Sequence, residues 1–119
     1  MSVSVSIIVP CYNVAAYLDQ CMESLAGQSM EDIEIICVND GSSDHTAEIL
    51  REWRNRDRRV RIIDQKNSGV SAARNSGMAA AAGTYIGFVD PDDMVERNMF
   101  QRLVTAAAEK EADVAVCGY

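Results

Sequence analysis

Three carboxylates set around one proline, Asp90-Pro-Asp-Asp93, are the residues of this chain best suited to chemistry. Three negative charges within four residues repel one another, and nothing basic stands beside them in sequence. Hard divalent cations such as Mg²⁺ and Mn²⁺ prefer oxygen ligands, and usually take one or two carboxylates together with substrate phosphates. The cluster follows directly on Tyr85 to Val89, an apolar run of aromatic and branched residues that reads as a short buried strand. In an open α/β sheet the carboxyl ends of the strands are where ligands bind. The alternative is a solvated acidic turn in which Asp92 or Asp93 caps the next helix.

Other strand ends carry fewer candidates. Asp40 closes the second apolar run, where its side chain could bond a ribose hydroxyl or a base N–H, or could simply close the turn with Gly41. Arg74 lies one turn into a small-residue helix; a guanidinium there could pair with a phosphate or with one of the aspartates, or form an ordinary surface salt bridge. The first apolar run ends in Pro10-Cys-Tyr-Asn13 without a glycine, which excludes the glycine-rich turn of a dinucleotide-binding domain and a P-loop.

The elements that must hold these residues alternate. Val3 to Val9 reads as a strand ending at Pro10, followed by a helix from about Val14 to Gln28 with Leu18, Cys21, Met22 and Leu25 at helical spacing. Ile33 to Val38 is a second strand. The turn Asp40-Gly-Ser-Ser-Asp44 offers Ser42, Ser43 or Asp44 as the cap of a helix running to about Arg58, with Ala47, Leu50 and Trp53 inward. Val60 to Ile63 is a third strand, Ser71 to Ala82 a helix with Gly83 as its C-cap, and Glu96 to Lys110 a helix after the acidic strand. Asp113 to Tyr119 reads as a last strand. About five strands alternating with four helices predict an α/β fold, a doubly wound and mostly parallel sheet with right-handed crossovers.

Composition narrows the class. The 119 residues make one domain or part of one, and 48% hydrophobic with 24% charged residues is ordinary for a globular protein. A formal net charge of −7 argues against nucleic acid as a partner. No apolar run reaches the roughly 20 residues that span a bilayer, and the N-terminus lacks the features of a signal peptide. Cys11, Cys21, Cys37 and Cys117 form no CxxC pair and read as reduced, mostly buried thiols, so a cytoplasmic setting is expected. Six arginines between Arg51 and Arg61 form the one basic patch, read as a solvated helix end, with docking to anionic lipid at the inner face of the membrane as the alternative.

Four segments together resemble a known family. Val5-Ser-Ile-Ile-Val-Pro-Cys-Tyr-Asn13, Val38-Asn-Asp-Gly-Ser-Ser-Asp44, Asn67-Ser-Gly-Val-Ser-Ala-Ala-Arg-Asn75 and Asp90-Pro-Asp-Asp93 are similar, in order and spacing, to the motifs of family 2 glycosyltransferases. The resemblance covers essentially the whole chain. It implies the GT-A fold, a Rossmann-like nucleotide-sugar-binding α/β domain, here residues 1–119 as the donor-binding part of a larger enzyme.

The resemblance also implies roles. Pro10 and Tyr12 would line the base pocket, with the Tyr12 ring against uracil. Asp40 would hydrogen-bond the base, and Asp44 would fix its loop. Arg74 would sit near the diphosphate. Asp90 would face the ribose or donor sugar and share the metal with Asp92, which would hold the Mg²⁺ or Mn²⁺ bridging the phosphates, with Asp93 in support or capping a helix. The sugar of a UDP-sugar would pass, with inversion, to a hydroxyl of a saccharide, lipid-linked or protein acceptor. The general base would lie beyond Tyr119, so these residues alone are expected to bind donor without transferring it. A final strand left as an open edge would favour self-association, and the full-length enzyme would have the membrane's inner face as an alternative location. Two rival readings are a non-catalytic nucleotide-binding module and a metal-dependent nucleotidyltransferase; the latter should show a basic, glycine-rich segment where Pro10 to Asn13 stands.

Overall fold

The computed structural model describes residues 3–109. Its elements are β1 (Val5–Cys11), α1 (Ala15–Ala26), β2 (Ile33–Asp40), α2 (Thr46–Arg56), β3 (Val60–Gln65), α3 (Val70–Ala80), β4 (Tyr85–Phe88) and α4 (Met99–Glu109). The four strands pair in parallel in the order β3-β2-β1-β4. The expected strand at Asp113–Tyr119, with the open edge and self-association tied to it, lies outside the described residues.

Strand alternation sorts the core into two layers. Val5, Ile7, Val9 and Cys11 of β1 and Ile33, Ile35 and Cys37 of β2 point to one face, where Leu18, Cys21, Met22 and Leu25 of α1, Leu50 and Trp53 of α2, and Met99 and Phe100 of α4 cover them. Ile8, Ile36 and Val38 point to the other face, against Ala73 of α3. Burial on both faces explains why β1 and β2 read as continuous apolar runs instead of alternating ones. Each fully buried Ile or Leu here contributes about 1.5–3 kcal/mol relative to exposure. The helices on both faces make the sheet doubly wound.

Small residues let α3 lie close to the sheet. A Cβ at Gly77 would come within 2.5 Å of Ile8 Cγ2, so only glycine fits there. The far end of α3 is tied down by a buried polar network on the same face. Ser6 Oγ donates to Glu34 Oε2 at 2.5 Å, and Arg61 Nη1 and the Ala82 amide donate to the same carboxylate at 2.8 and 2.7 Å. Burial alone would raise the Glu34 pKa, but the hydrogen bonds from Ser6, Ala82 and Arg61 outweigh it, and the pKa is lowered.

Two local expectations give way. Pro10 does not end β1 but lies inside it, paired with Val38. The Ile8 carbonyl accepts from Val89 on the β4 side, so Pro10, two residues on, turns its missing N–H the same way, where pairing with β4 has already stopped at Phe88. Gly83 does not cap α3, which ends at Ala80 with Ala81 extended. Its amide donates to Ser6 Oγ at 2.8 Å, and a Cβ there would sit 2.6 Å from the Ser6 amide nitrogen. Close approach to β1, and not helix termination, explains this glycine.

After β3 the chain crosses beneath the sheet through α3 and returns to pair with the opposite side of β1. The strand order therefore reverses between β1 and β4, and the crevice at their carboxyl ends is the topological switch point.

Candidate functional site

Parallel strands deliver all their carboxyl ends to one edge, which brings Cys11, Asp40, Gln65 and the residues after Phe88 to the same side. Pro10, Cys11, Tyr12, Asp40, Asn67, Gly69, Val70 and Ala73 line an open cavity of about 300 Å³ there. Three residues expected to share a base pocket, Pro10, Tyr12 and Asp40, are thus neighbours. Tyr12 is 52% exposed although the core is next to it, so its ring is available to a ligand.

The loops that carry these residues are fastened to each other. The Asn13 amide donates to Ser42 Oγ at 3.0 Å, Asn13 Oδ1 accepts from the Ser43 amide at 2.8 Å, and the Val14 amide donates to Thr46 Oγ1 at 3.0 Å. Asn13 takes a positive φ of 51, which asparagine tolerates better than most residues. Asp44 joins the two helix starts, accepting from the Ala15 amide of α1 at 3.2 Å and the Thr46 amide of α2 at 2.9 Å. Negative charge beside two helix N-termini is favourable. The Asp44 pKa is lowered: burial opposes this, and the bonds from Thr46 and Ala15 prevail.

The Asp40 carboxylate accepts three hydrogen bonds from the protein. Its Oδ1 accepts from Gln65 Nε2 at 2.9 Å and from the Ser68 amide at 2.8 Å, and its Oδ2 accepts from the Gly69 amide at 3.0 Å. Its carbonyl takes Asn67 Nδ2 at 3.0 Å. The Gln65 bond is the main cause of its lowered pKa; burial opposes it, and the Ser68 and Gly69 amides add to the lowering. Asp40 therefore does more than close a turn with Gly41: it holds the segment that starts α3.

The acidic turn is built differently. Carboxylate oxygens of Asp90, Asp92 and Asp93 all lie within 4.8 Å of one another, with Asp90 and Asp92 exposed. The Asp93 amide donates to the Asp90 carbonyl at 3.0 Å, which folds the turn. Arg74 Nη2 stands 3.7 Å from Asp90 Oδ1, an ion pair without a close hydrogen bond. Beneath the turn, the Cys21 thiol donates to the Asp90 carbonyl at 3.7 Å. Burial, aided by Cys11 and the three aspartates, pushes that thiol up to about 12, so it adds no negative charge. Three hard oxygen donors converging with one nearby cation fit Mg²⁺ or Mn²⁺.

Capping by Asp92 or Asp93 fails. Helix α4 begins only at Met99, because Val95, Glu96 and Arg97 are drawn instead onto the end of α1: the Val95 amide bonds Ser24 Oγ, and the Glu96 and Arg97 carbonyls accept from Gln28 and Ser29. Asn13, Gln65 and Asn67 also hold the site together, through partners that lie far away along the chain. Arg74 and the aspartates meet, as do Pro10, Tyr12 and Asp40, while Asp44 stands behind both loops.

Comparison with known proteins agrees with this fold. A family model described as glycosyl transferase family 2 matches residues 6–119. The chain is 52% identical over 97% of its length to the glycosyltransferase EpsJ of Bacillus subtilis, and 44% identical over 97% to the glycosyltransferase GlyA of Streptococcus pneumoniae. It spans 33% of the length of EpsJ and 16% of GlyA. Among solved structures, S. aureus TarS 1-349 in complex with UDP-GlcNAc superposes with a TM-score of 0.85 at 29% identity, covering 91% of this chain and 32% of that one.

Proposed function

The chain belongs to glycosyl transferase family 2, and from that premise we propose that it binds a UDP-sugar with a divalent cation, as the donor side of an inverting sugar transfer. The observation that carries this is the pairing of the Pro10–Tyr12–Asp40 cavity with the Asp90–Asp92–Asp93 cluster at the switch-point edge of one parallel sheet. The likeness to TarS in complex with UDP-GlcNAc supports the choice of a uridine donor.

In this reading Tyr12 stacks on the base against Pro10, and the Asp40 carboxylate accepts a base N–H beside the donors it already holds. Asp44 keeps both loops in register. Arg74, standing at Asp90, is placed to meet the diphosphate as a bidentate donor. Asp90 faces the ribose or donor sugar and, with Asp92, holds the cation, with Asp93 in support. A cation there would offset the charge that develops on the departing nucleoside diphosphate. The acceptor hydroxyl attacks the anomeric carbon from the face opposite the diphosphate, which inverts that centre. Its proton goes to a carboxylate base that this reading assigns to a part of the protein outside these residues.

A nucleotide panel tests the proposal. With Mn²⁺ present, UDP and UDP-sugars should bind more tightly than ADP, GDP or CDP by calorimetry. Incubation with labelled UDP-sugar and a panel of saccharide and lipid acceptors should give no acceptor-dependent transfer. Equal affinity for all four nucleotides would sink the base assignment, and acceptor-dependent turnover would mean that the base lies within these 119 residues or comes from a second copy of them.

A further inference from the structure

Gln65 ends β3 in register with Asp40, so the two side chains are cross-strand neighbours on the face covered by α3. Its amide is used at both ends. Nε2 donates to Asp40 Oδ1 at 2.9 Å, and Oε1 lies 2.6 Å from the hydroxyl of Ser76, which donates to it from α3. That hydroxyl also lies 3.0 Å from the Ala72 carbonyl, which keeps it on the inner side of the helix. The two ends are chemically linked. The NH₂ end of Gln65 faces Asp40 because an ionised carboxylate only accepts and the flipped amide would set a carbonyl against it; Oε1 is then left to the Ser76 hydroxyl.

We propose that Gln65, braced by Ser76, is a positioning residue that fixes the Asp40 carboxylate for recognition of the nucleotide base, and this rests on the base-binding reading above. An ionised carboxylate accepts at about four lone-pair sites. Gln65, Ser68 and Gly69 fill three, two on Oδ1 and one on Oδ2. Capacity for roughly one further donor remains, on a group whose rotation is blocked from two strands and a helix start. Only Gln65 among the three contributes a side chain, so only this support can be removed by substitution without altering the backbone. It also links the cavity to the helix that carries Arg74, two residues before Ser76.

A double-mutant cycle on UDP binding, measured by calorimetry with Mn²⁺, tests this. Gln65→Met should weaken UDP by roughly tenfold, the worth of one bond to a charged group, and Gln65→Glu by more, since it sets a second carboxylate against Asp40. Ser76→Ala should act in the same direction but less. In an Asp40→Asn background, Gln65→Met should have no further effect, because a residue that works only through Asp40 has nothing left to position. The low-pH limit of UDP binding should also move to higher pH in Gln65→Met. Loss of stability alone would move neither the cycle nor the pH limit, and Ser76→Ala provides a reading even if a Gln65 variant folds poorly. If Asp40→Asn weakens UDP while Gln65→Met does not, or if the two effects add, the positioning role is wrong. If Asp40→Asn binds UDP as the unmodified chain does, the base-binding reading fails and the inference falls with it.

Discussion

The two halves of the site differ in how their charges are held. On the cavity side, Asp40 in the lining and Asp44 behind its loops accept from three and two groups of the protein, and both pKa values are lowered. In the turn, three carboxylates crowd within 4.8 Å and meet one arginine at 3.7 Å. The cavity carboxylates are held by donors of the protein itself, whereas those of the turn face one another.

Substitutions should separate the halves by readout. Asp92→Asn should remove the cation-dependent part of UDP binding, an effect at least as large as the roughly 10- to 100-fold that follows loss of a supporting group around a metal. It should leave urea stability unchanged or slightly raised, since like charges are relieved. Asp93→Asn should cost less binding; if it proved the more damaging for metal, the assignment within the turn would be reversed. Asp44→Ala should behave in the opposite way, losing roughly 1–2 kcal/mol of stability because two helix-start amides lose their acceptor. A denaturant midpoint unaltered by Asp44→Ala would remove the contrast.

That contrast was only half legible in the sequence. The acidic turn is local, so three aspartates around Pro91 announce themselves, and Tyr12 and Asp40 stand at strand ends that apolar runs make visible. The order of elements could be read because each strand and helix carries its own period. What could not be read is long-range: Gln65 and Ser68 reach Asp40 from 25 and 28 residues away. Pro10 looked like a stop because its neighbouring strand length is invisible in sequence, and Gly83 looked like a cap because its crowding comes from Ser6. Capping by Asp92 or Asp93, the alternative for the turn, fails because α1 captures the chain before α4 can start.

A smaller effect distinguishes the far end of the sheet. The Glu34 pKa lies below its ordinary 4.5, so its stabilising bonds are fully present above that pH and are lost as pH falls through the lower folded value. Unfolding followed from about pH 6 to about pH 3 should show the unmodified chain losing its advantage over Glu34→Gln. A constant difference would mean that the network is not charge-dependent. The smallest effect is expected from Arg74→Gln, which should alter stability by less than about 0.5 kcal/mol, because its pair with Asp90 is exposed and long. A larger loss would make Arg74 part of the scaffold.

The central claim is that the Asp90–Asp93 turn and the Tyr12–Asp40 cavity act on one ligand, a nucleoside diphosphate bridged to a cation. Calorimetric titration of the chain with UDP, in Mn²⁺ and again with excess chelator, tests it most directly. The account predicts tighter binding with Mn²⁺, on the order of tenfold or more, and loss of that gain on chelation. Equal affinity in the two conditions would contradict it.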